Sequence, residues 1–398
     1  MLNVISLAKA KDISAALAKQ TLHSEVLPLN AITGRVAAED IYSPGSVPAF
    51  SRSTMDGYAV FAADTFGAGE TCPCELTVAG EVKMGEKTET VVVQGTCVKI
   101  PTGGMLPEGA DAVVPVEYAD SEFGSCLFYK GVSPFENVTR AGDDVKENEL
   151  LLPAGTLITS AKTGVLAAAG VEKCSVLRRP RAGIISTGNE IVPVGESPAP
   201  GKVRDVNSHL LSSVCEGFGF VSRFYGIVPD AEEALKNALS AACAENDMVL
   251  LSGGSSAGER DLTAKILSEL GSVAAHGIAV KPGKPTVIGS VNSVPVFGLP
   301  GHPAACYFVA DTVVRACAER IAGAVLPRRT VCARLGENVS SNHGREEFVC
   351  VALEKGLAVP VYAKSGVVSQ LSRSDGYFIV PRNSEGLRQG ELIDVYLF

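Results

Sequence analysis

A serine- and glycine-rich loop that follows a buried strand is the strongest chemical signal in this sequence. Residues 246–261 are Asn-Asp-Met-Val-Leu-Leu-Ser-Gly-Gly-Ser-Ser-Ala-Gly-Glu-Arg-Asp. The apolar run 248–251 predicts a parallel strand, and the loop after it offers backbone N–H groups to an anion. Glu259 and Asp261 would repel a bare phosphate, so the segment indicates a phosphate bound together with a divalent cation. A plain turn, with Asp261 as the N-cap of a helix over 262–270, is the structural alternative.

Two further loops are expected beside the first one. Ser186-Thr-Gly-Asn-Glu190 follows a predicted strand, and Gly298-Leu-Pro-Gly-His-Pro303 precedes a predicted helix. Because ligands of open parallel sheets bind beyond the carboxyl ends of the strands, the three loops should lie on one rim. The segment Lys281-Pro-Gly-Lys-Pro285 adds two ammonium groups on a stiff backbone, which suits phosphate binding. A proline-stiffened connector with solvated lysines would have the same composition.

Two acidic residues near these loops also have structural alternatives. Asp230 precedes a predicted helix and Glu233 follows three residues later, so the pair fits a capping box as well as a catalytic or metal-binding role. Asp205 lies in a charged segment in which Asn207 is the expected cap of the next helix. A single salt bridge would account for Asp205.

Three segments of the N-terminal half combine glycine with hydroxyl or carboxylate groups. Residues 50–58 are Phe-Ser-Arg-Ser-Thr-Met-Asp-Gly-Tyr, and Pro101-Thr-Gly-Gly104 is a second glycine-hydroxyl loop. Gly142-Asp-Asp144 has the composition of a plain acidic turn. The composition of the first two segments does not by itself identify a function.

The composition limits the class of protein. A chain of 398 residues predicts two to four domains, and its net charge of −9 argues against general nucleic-acid binding. Five histidines and no tryptophan argue against a histidine-rich metal site and against an aromatic platform for bases. Eleven cysteines without a Cys-x-x-Cys pair indicate reduced, mostly buried thiols. The absence of a long apolar run predicts a cytoplasmic protein without a membrane segment.

The pattern of apolar residues predicts where helices and strands lie along the chain. An amphipathic helix is expected over 7–22, and a second helix over 160–169. Short strands are expected over 75–79, 91–93, 97–100, 112–116 and 126–129. From residue 181, strands over 182–186, 223–228 and 248–251 alternate with helices over 208–216, 231–245 and 262–270, which predicts a mostly parallel sheet. Hairpin strands over 286–289 and 294–298, a helix over 304–322 and a small β domain after residue 330 complete the prediction.

Seven segments, in their order along the chain, closely resemble the molybdopterin molybdenumtransferases, the last enzymes of molybdenum-cofactor assembly, which are related to the E domain of gephyrin. Each segment alone is a weak signal, but together they extend over nearly the whole chain. They are residues 51–59, 101–104 with 109–114, 186–190, 205–207, 252–261, 281–285 and 298–303.

This resemblance implies a multidomain α/β plus β fold. An elongated N-terminal helical and extended lobe would comprise residues 1–50 and 140–178, and an inserted β lobe residues 51–139. A three-layer α/β/α pterin-binding domain with a mostly parallel sheet would comprise residues 179–326, and a C-terminal β barrel residues 327–398. The resemblance also implies a homodimer whose active site lies between the α/β domain of one subunit and the N-terminal region of the other.

The resemblance also implies roles for individual residues. The catalytic residues would be Asp56, Thr102, Asp144, Glu190 and Asp230. Mg²⁺ would be bound by Glu190, Asp230 and Asp261. The substrate-binding residues would be Ser186, Thr187, Gly188, Asp205, Ser252, Gly253, Gly254, Ser255, Gly258, Lys281, Lys284, Pro300, Gly301, Arg345 and Ser365. Many relatives carry lysine where Gly277 stands, and the adjacent His276 could substitute for it.

The implied reaction inserts molybdenum from molybdate into adenylyl-molybdopterin and releases AMP. Tungstate, a tetrahedral dianion of nearly equal size, is an alternative to molybdate. A molybdopterin adenylyltransferase is expected as a partner. Binding to nucleic acid or to a membrane is not expected. One alternative function is that of the adenylyltransferase itself, which resembles residues 180–325 only. A non-catalytic molybdopterin-binding scaffold is the other.

Overall fold

A computed structural model of the chain describes residues 4–19, 22–253, 259–362 and 367–398, and for residues 259–261 it describes the backbone alone. None of the helices in these ranges has the length and apolar composition that crossing a membrane requires. The described helices are α1 Leu7–Leu17, α2 Ser160–Ala168, α3 Asn207–Gly217, α4 Glu232–Glu245, α5 Glu259–Leu270, α6 Pro303–Val309, α7 Arg315–Ala322 and α8 Ser369–Ser372. A π-helical turn, Ala310–Val314, joins α6 to α7, so the helix predicted over 304–322 is present but is not regular throughout.

The central domain is built on a six-stranded mixed sheet. Its strands lie in the spatial order Val221–Val228, Arg181–Thr187, Met248–Gly253, Val294–Leu299, Val287–Val291 and Gly271–His276. The first four are parallel to one another, and the last two form antiparallel pairs. The prediction of a mostly parallel sheet is therefore confirmed. The strand Gly271–His276 was not predicted, because serine, alanine and glycine give little β signal.

Helices cover both faces of this sheet. Ile184 and Leu250 belong to a core that also contains residues of α3, α6 and α7. Ile185 and Leu251, the next residue in each strand, belong to a second core with α4 and α5. Successive side chains of a strand point to opposite faces, so a strand covered on both sides is apolar throughout. This arrangement is the predicted three-layer α/β/α domain.

Helix α1 packs onto this central domain. Its Leu7 and Ala10 are buried in the core that contains α7, and Ser14 Oγ donates a 2.6 Å hydrogen bond to the carbonyl of Val313 in the π-helical turn. The apolar side of the predicted amphipathic helix thus has its partner here, and the helix ends at Leu17, five residues before the predicted end.

The inserted β lobe is a six-stranded sheet. Its strands lie in the order Ala112–Pro115, Gly57–Val60, Thr96–Ile100, Cys74–Glu81, Ser125–Phe128 and Ala119–Glu122. A short antiparallel pair, Arg52–Ser53 with Val138–Thr139, lies where the chain enters and leaves the lobe. The prediction of a strand over 91–93 is wrong, because these residues lie outside the strands even though Val92 is buried.

The remaining N-terminal residues form a smaller lobe with its own core. Its antiparallel pairs are Ser24–Pro28 with Lys173–Leu177 and Ile41–Tyr42 with Leu150–Leu152. Helix α2 contributes Leu166 to this core, which also contains Ile32 and Ile158.

The C-terminal domain is the predicted barrel. Five strands close on one another in the order Glu346–Glu354, Leu357–Pro360, Thr330–Leu335, Leu392–Leu397 and Gly376–Val380. A short pair, Val339–Ser340 with Gly386–Leu387, lies beside it. The segment Val280–Lys281 of the central domain pairs in parallel with Glu346 and Glu347 of the barrel, which attaches the two domains at this point.

Candidate functional site

The predicted loops leave the central sheet at one edge. In the parallel ladder Ser186 pairs with Ser252, and Ser252 pairs with Leu299, so the ends of three strands lie side by side. The strand Gly271–His276 has the same direction, because two successive antiparallel pairings restore it. Residues 277–285 therefore leave the sheet at this edge as well. The prediction that the loops share one rim is confirmed.

The three loops are numbered here by their order in the chain: the first is residues 186–190, the second 252–261 and the third 298–303. Asp205 holds the first loop from inside the protein. Its carboxylate accepts hydrogen bonds from Ser186 Oγ at 3.0 and 2.9 Å and from the N–H of Ser208 at 3.2 Å. Asp205 is only 4% exposed, so it supports the loop rather than contacting a ligand in solvent. The expected Asn207 cap is wrong, because Asp205 binds the N–H in the first turn of α3. Asn207 Nδ2 instead donates to the carbonyl of Gly301 at 2.8 Å, which connects the start of α3 to the third loop.

Asp230 also binds the first loop. Thr187 Oγ1 donates to Asp230 Oδ1 at 2.7 Å, and the N–H of Asn189 donates to Asp230 Oδ2 at 2.9 Å. Asn189 Oδ1 accepts in return from the N–H of Asp230 at 3.3 Å. The capping-box alternative is wrong, because Ala231 is the N-cap of α4 and makes no side-chain cap hydrogen bond. Asp230 therefore fixes the position of the 187–189 turn.

Gly253 allows the first and second loops to approach each other, and Gly188 has a backbone conformation that favours glycine. Gly253 has a φ of +128°, and a Cβ there would lie 1.8 Å from the carbonyl oxygen of Thr187. Gly188 has a φ of +150°, and a Cβ there would lie 2.8 Å from Glu190 Oε2. The backbone contact excludes a side chain at Gly253, and the positive φ disfavours one at Gly188, so backbone and the exposed Glu190 carboxylate form this part of the rim.

Part of the second loop lies outside the described residues. Gly254, Ser255, Gly258 and the side chain of Asp261 belong to that part. Ser252 is 1% exposed, so its hydroxyl lies in the interior. The proposed Asp261 N-cap is wrong, because α5 begins at Glu259 and places Asp261 within its first turn.

The Lys281–Lys284 segment is fixed by contacts with the barrel and with α6. Lys281 Nζ lies 2.6 Å from Glu347 Oε1, and Ser341 Oγ donates to Glu347 Oε2 at 2.7 Å. Gly283 has a φ of +123°, and a Cβ there would lie 2.9 Å from Val309 Cγ2. These contacts argue against a loose, solvated connector. Lys284 is exposed on the same segment.

The remaining rim residues are less exposed. Pro300 is buried and Gly301 is partly buried after the strand Val294–Leu299. Arg345 is partly buried beside Glu346, and Ser365 lies outside the described residues. His276 is partly buried, and its Nε2 has no hydrogen-bond partner among the described residues.

The N-terminal candidates form a second, separate group. Asp56 Oδ1 accepts from the N–H of Thr102 at 2.7 Å and from Thr102 Oγ1 at 2.9 Å. The backbone hydrogen bond, followed by the hydroxyl, lowers the pKa of Asp56 below its ordinary value. Asp144 is exposed, and its N–H donates to the carbonyl of Val47 at 3.1 Å. Within the described part of one chain, no hydrogen bond or ion pair joins these three residues to the sheet rim.

Among the cysteines, Cys306 of α6 contacts the side chain of Ser252 inside the protein. All eleven lie in described ranges without a disulfide, and most are buried. Burial raises the pKa of Cys215 and of Cys243 to about 12, so these thiols stay protonated at neutral pH. The prediction of mostly buried thiols is confirmed.

Sequence reasoning missed two residues of the site. Asn189 was quoted only as part of a loop, and Glu347 was not considered. Asn189 follows Gly188 directly, so an Asx residue in a glycine turn was an available signal. Glu347 had no local signal, because its partner Lys281 is 66 positions away in the chain.

Three protein-family models match the chain in succession. They describe the MoeA N-terminal region (domain I and II) over residues 5–170, a probable molybdopterin binding domain over residues 183–320, and the MoeA C-terminal region (domain IV) over residues 332–398.

Relatives of known sequence or structure are similar over nearly their whole length. The putative molybdopterin biosynthesis protein of Methanocaldococcus jannaschii is 38% identical over 371 residues, which cover 91% of this chain and 89% of that protein. The molybdopterin molybdenumtransferase of Bacillus subtilis is 31% identical, with 91% and 87% covered. The crystal structure of the molybdopterin biosynthesis MoeA protein from Pyrococcus horikoshii has a TM-score of 0.89 at 32% identity, with 100% of both chains covered. Because the similarity extends from the N-terminal lobes to the C-terminal barrel, this protein belongs to the MoeA family.

Proposed function

We propose that this transferase of molybdenum-cofactor biosynthesis inserts molybdenum from molybdate into adenylyl-molybdopterin and releases AMP. The observation that carries the proposal is the meeting of the 186–190, 252–253 and 300–301 loops and the Lys281–Lys284 segment at one edge of the central sheet. Such an edge is where α/β domains bind phosphorylated ligands.

The rim residues have the chemistry that this reaction needs. Molybdate and the phosphoanhydride are both anionic, and Lys281 and Lys284 can donate charge-assisted hydrogen bonds to them. Backbone N–H groups of glycine-containing loops can bind further oxygens. The protein needs no covalent nucleophile, since the dithiolene sulfurs of the substrate receive the metal, and water can cleave the phosphoanhydride so that one phosphate stays on molybdopterin and the other leaves as AMP.

The predicted Mg²⁺ site is only partly supported. Glu190 is exposed at the rim, and carboxylate oxygens are good Mg²⁺ ligands. Both oxygens of Asp230 accept hydrogen bonds from the first loop, and in the part of the chain that the structure describes no three acidic, histidine or cysteine side chains are arranged so that they could hold a metal ion. We therefore derive no step through Mg²⁺, and we keep Glu190, Asp230 and Asp261 as proposed ligands.

We also propose that the active site is shared between two subunits. Asp56 and its partner Thr102 are exposed in the N-terminal half, and so is Asp144. Within one chain, this group of candidates has no bond to the described rim residues. In a homodimer, this group of one subunit would complete the rim of the other. A molybdopterin adenylyltransferase is the proposed partner that delivers the substrate.

Purified protein incubated with adenylyl-molybdopterin and either molybdate or tungstate tests the reaction class. We expect AMP release that depends on the oxyanion, and comparison of the two oxyanions gives the preference. Conversion of ATP with free molybdopterin, without cleavage of the adenylylated form, would instead identify an adenylyltransferase. Binding of adenylyl-molybdopterin without either reaction would identify a scaffold.

A further inference from the structure

The segment that enters helix α3 contacts two of the loops at the rim. Asp205 accepts from the hydroxyl of Ser186 in the first loop, and Asn207 Nδ2 donates to the carbonyl of Gly301 in the third loop at 2.8 Å. The two contacts are made by residues that are only two positions apart in the chain. One short piece of backbone therefore holds both loops.

The two loops that this segment connects are not neighbours in the sheet. The strand Met248–Gly253, from which the second loop leaves, lies between the strands Arg181–Thr187 and Val294–Leu299. Adjacent strands are about 4.8 Å apart, so the ends of the two outer strands are separated by roughly 10 Å. The entry of α3 spans this distance and fixes the third loop relative to the first.

Asn207 is more than nine-tenths buried, but only one end of its amide is bonded. The residue is 7% exposed, and its Oδ1 has no hydrogen-bond partner in the part of the chain that the structure describes. A buried acceptor without a partner lowers stability, because it has lost its hydrogen bonds to water. The Asp205 carboxylate already binds the N–H of Ser208, so α3 has its cap without Asn207. Stability alone therefore gives little reason for an amide at this position.

The bond from Asn207 orients the peptide unit between Gly301 and His302. This unit is trans, and the C=O and N–H groups of a planar trans peptide point in opposite directions. Because the Gly301 carbonyl points to the entry of α3, the plane of the whole unit is set by one side-chain hydrogen bond. The unit lies directly before α6, which begins at Pro303. Asn207 thus fixes the backbone where the third loop turns into a helix.

We propose that Asn207 is a positioning residue for the third loop. Its amide N–H holds the Gly301 carbonyl and so keeps the loop in register with the first loop. The proposal rests on the proposed function, in which Pro300 and Gly301 contact the substrate. Asn207 itself is too deeply buried to contact the substrate from solvent, so it acts through Gly301.

Asn207→Ala tests the proposal by removing the amide. We expect KM for adenylyl-molybdopterin to rise roughly tenfold or more in the AMP-release assay, because a small displacement of a substrate-positioning group is costly. Hydrogen exchange of the backbone amides in residues 298–302 should also become faster than in the wild type. Asn207→Leu, which has no hydrogen-bond donor but fills the space, should give the same two results, and it replaces the alanine variant if that does not fold.

Asn246→Ala is the matched control. Asn246 is 8% exposed, and its Nδ2 also donates to a backbone carbonyl, that of Ala242, at 2.8 Å. It precedes the strand Met248–Gly253 and so lies at the opposite edge of the sheet from the loops. Both alanine variants should melt below the wild type, because each loses a buried hydrogen bond. Only Asn207→Ala should change KM and the exchange of residues 298–302.

A purely structural role for Asn207 gives a different result. If folded Asn207→Ala has a KM within about twofold of the wild type, or if Asn246→Ala raises KM as much, the proposal is wrong while the proposed function stands. If the wild type does not release AMP, the proposed function fails. Hydrogen exchange then decides by itself, because unchanged exchange of residues 298–302 in Asn207→Ala would show that Asn207 does not hold the loop.

Discussion

Lys281 of the central domain forms a 2.6 Å ion pair with Glu347 of the C-terminal barrel. The backbones of the same two residues are partners in a parallel bridge, so the pair is fixed through main chain and side chain together. Glu347 is 15% exposed at its side chain and also accepts from Ser341. The barrel therefore determines the position of a lysine at the rim of another domain.

Removal of either rim lysine should weaken the binding of the nucleotide substrate. Hydrogen bonds to charged groups contribute about 1.5–3 kcal/mol, so Lys281→Ala and Lys284→Ala should each reduce affinity roughly tenfold or more. Lys284→Ala should leave the melting temperature nearly unchanged, whereas Lys281→Ala should lower it, because the largely buried Glu347 carboxylate loses its partner. Calorimetry with AMP measures the effect. Lys87→Ala, which removes an exposed lysine of the β lobe, is the control. If both rim variants bind AMP as tightly as the wild type, the segment 281–285 is a connector and not a phosphate-binding segment.

Loss of the Thr102 hydroxyl should raise the pKa of Asp56. The folded-state pKa of Asp56 lies below its ordinary value of 3.8, so these hydrogen bonds stabilise the protein above that pH and are lost as the pH falls through the folded pKa. In Thr102→Ala the pKa should move towards 3.8 without reaching it, because the backbone N–H still donates. Carboxyl NMR titration measures this, with Thr102→Ser as the control. An unchanged pKa in Thr102→Ala would contradict the geometry.

Mixing two inactive variants tests whether the site is shared between subunits. Asp56→Ala and Glu190→Ala should each be inactive as homodimers. In a heterodimer, both lesions fall in one of the two sites and the other site is intact. Random mixing makes about half of the dimers mixed, so about a quarter of the wild-type activity should return. A verified heterodimer that remains inactive would show that one chain builds the whole site.

Substitution of Asp261 tests the proposed Mg²⁺ site. Asp261→Asn barely alters shape but removes the charge that attracts the cation, so it should melt normally and lose most metal-dependent turnover. The measurement is AMP release as a function of Mg²⁺ concentration. Asp64→Asn, in the β lobe, is the control for loss of one acidic charge. Wild-type turnover and Mg²⁺ dependence in Asp261→Asn would remove this residue from the site.

The sequence predicted the layers of the central domain better than the partners of its polar residues. The apolar run at Leu250 and Leu251 specifies a strand covered on both faces, which is a local property. Asp230 and Glu233 have the spacing of a capping box, but Asp230 binds Thr187, 43 positions earlier. When a carboxylate has two possible sets of hydrogen-bond donors, the neighbouring sequence does not indicate which set it will bind.

The same limit explains the other differences. Asp205, rather than Asn207, binds the first turn of α3, and both residue types are good caps. The strand Gly271–His276 forms because Val287–Val291 lies next to it, although its own residues favour strands weakly. The strand depends on a pairing partner further along the chain, whereas at α3 two good cap residues lie two positions apart and residue type does not decide between them.

Molybdate-dependent AMP release by the wild type and by Asp230→Asn tests the central claim most directly. Asp230 accepts two hydrogen bonds from the first loop, and asparagine can accept only one of them, so the variant should lose about 1–2 kcal/mol of stability and remain folded. The account predicts about one AMP per adenylyl-molybdopterin in the wild type only when molybdate is present, and a large loss of this release in folded Asp230→Asn. AMP release that ignores molybdate, or a folded Asp230→Asn with wild-type turnover, would contradict it.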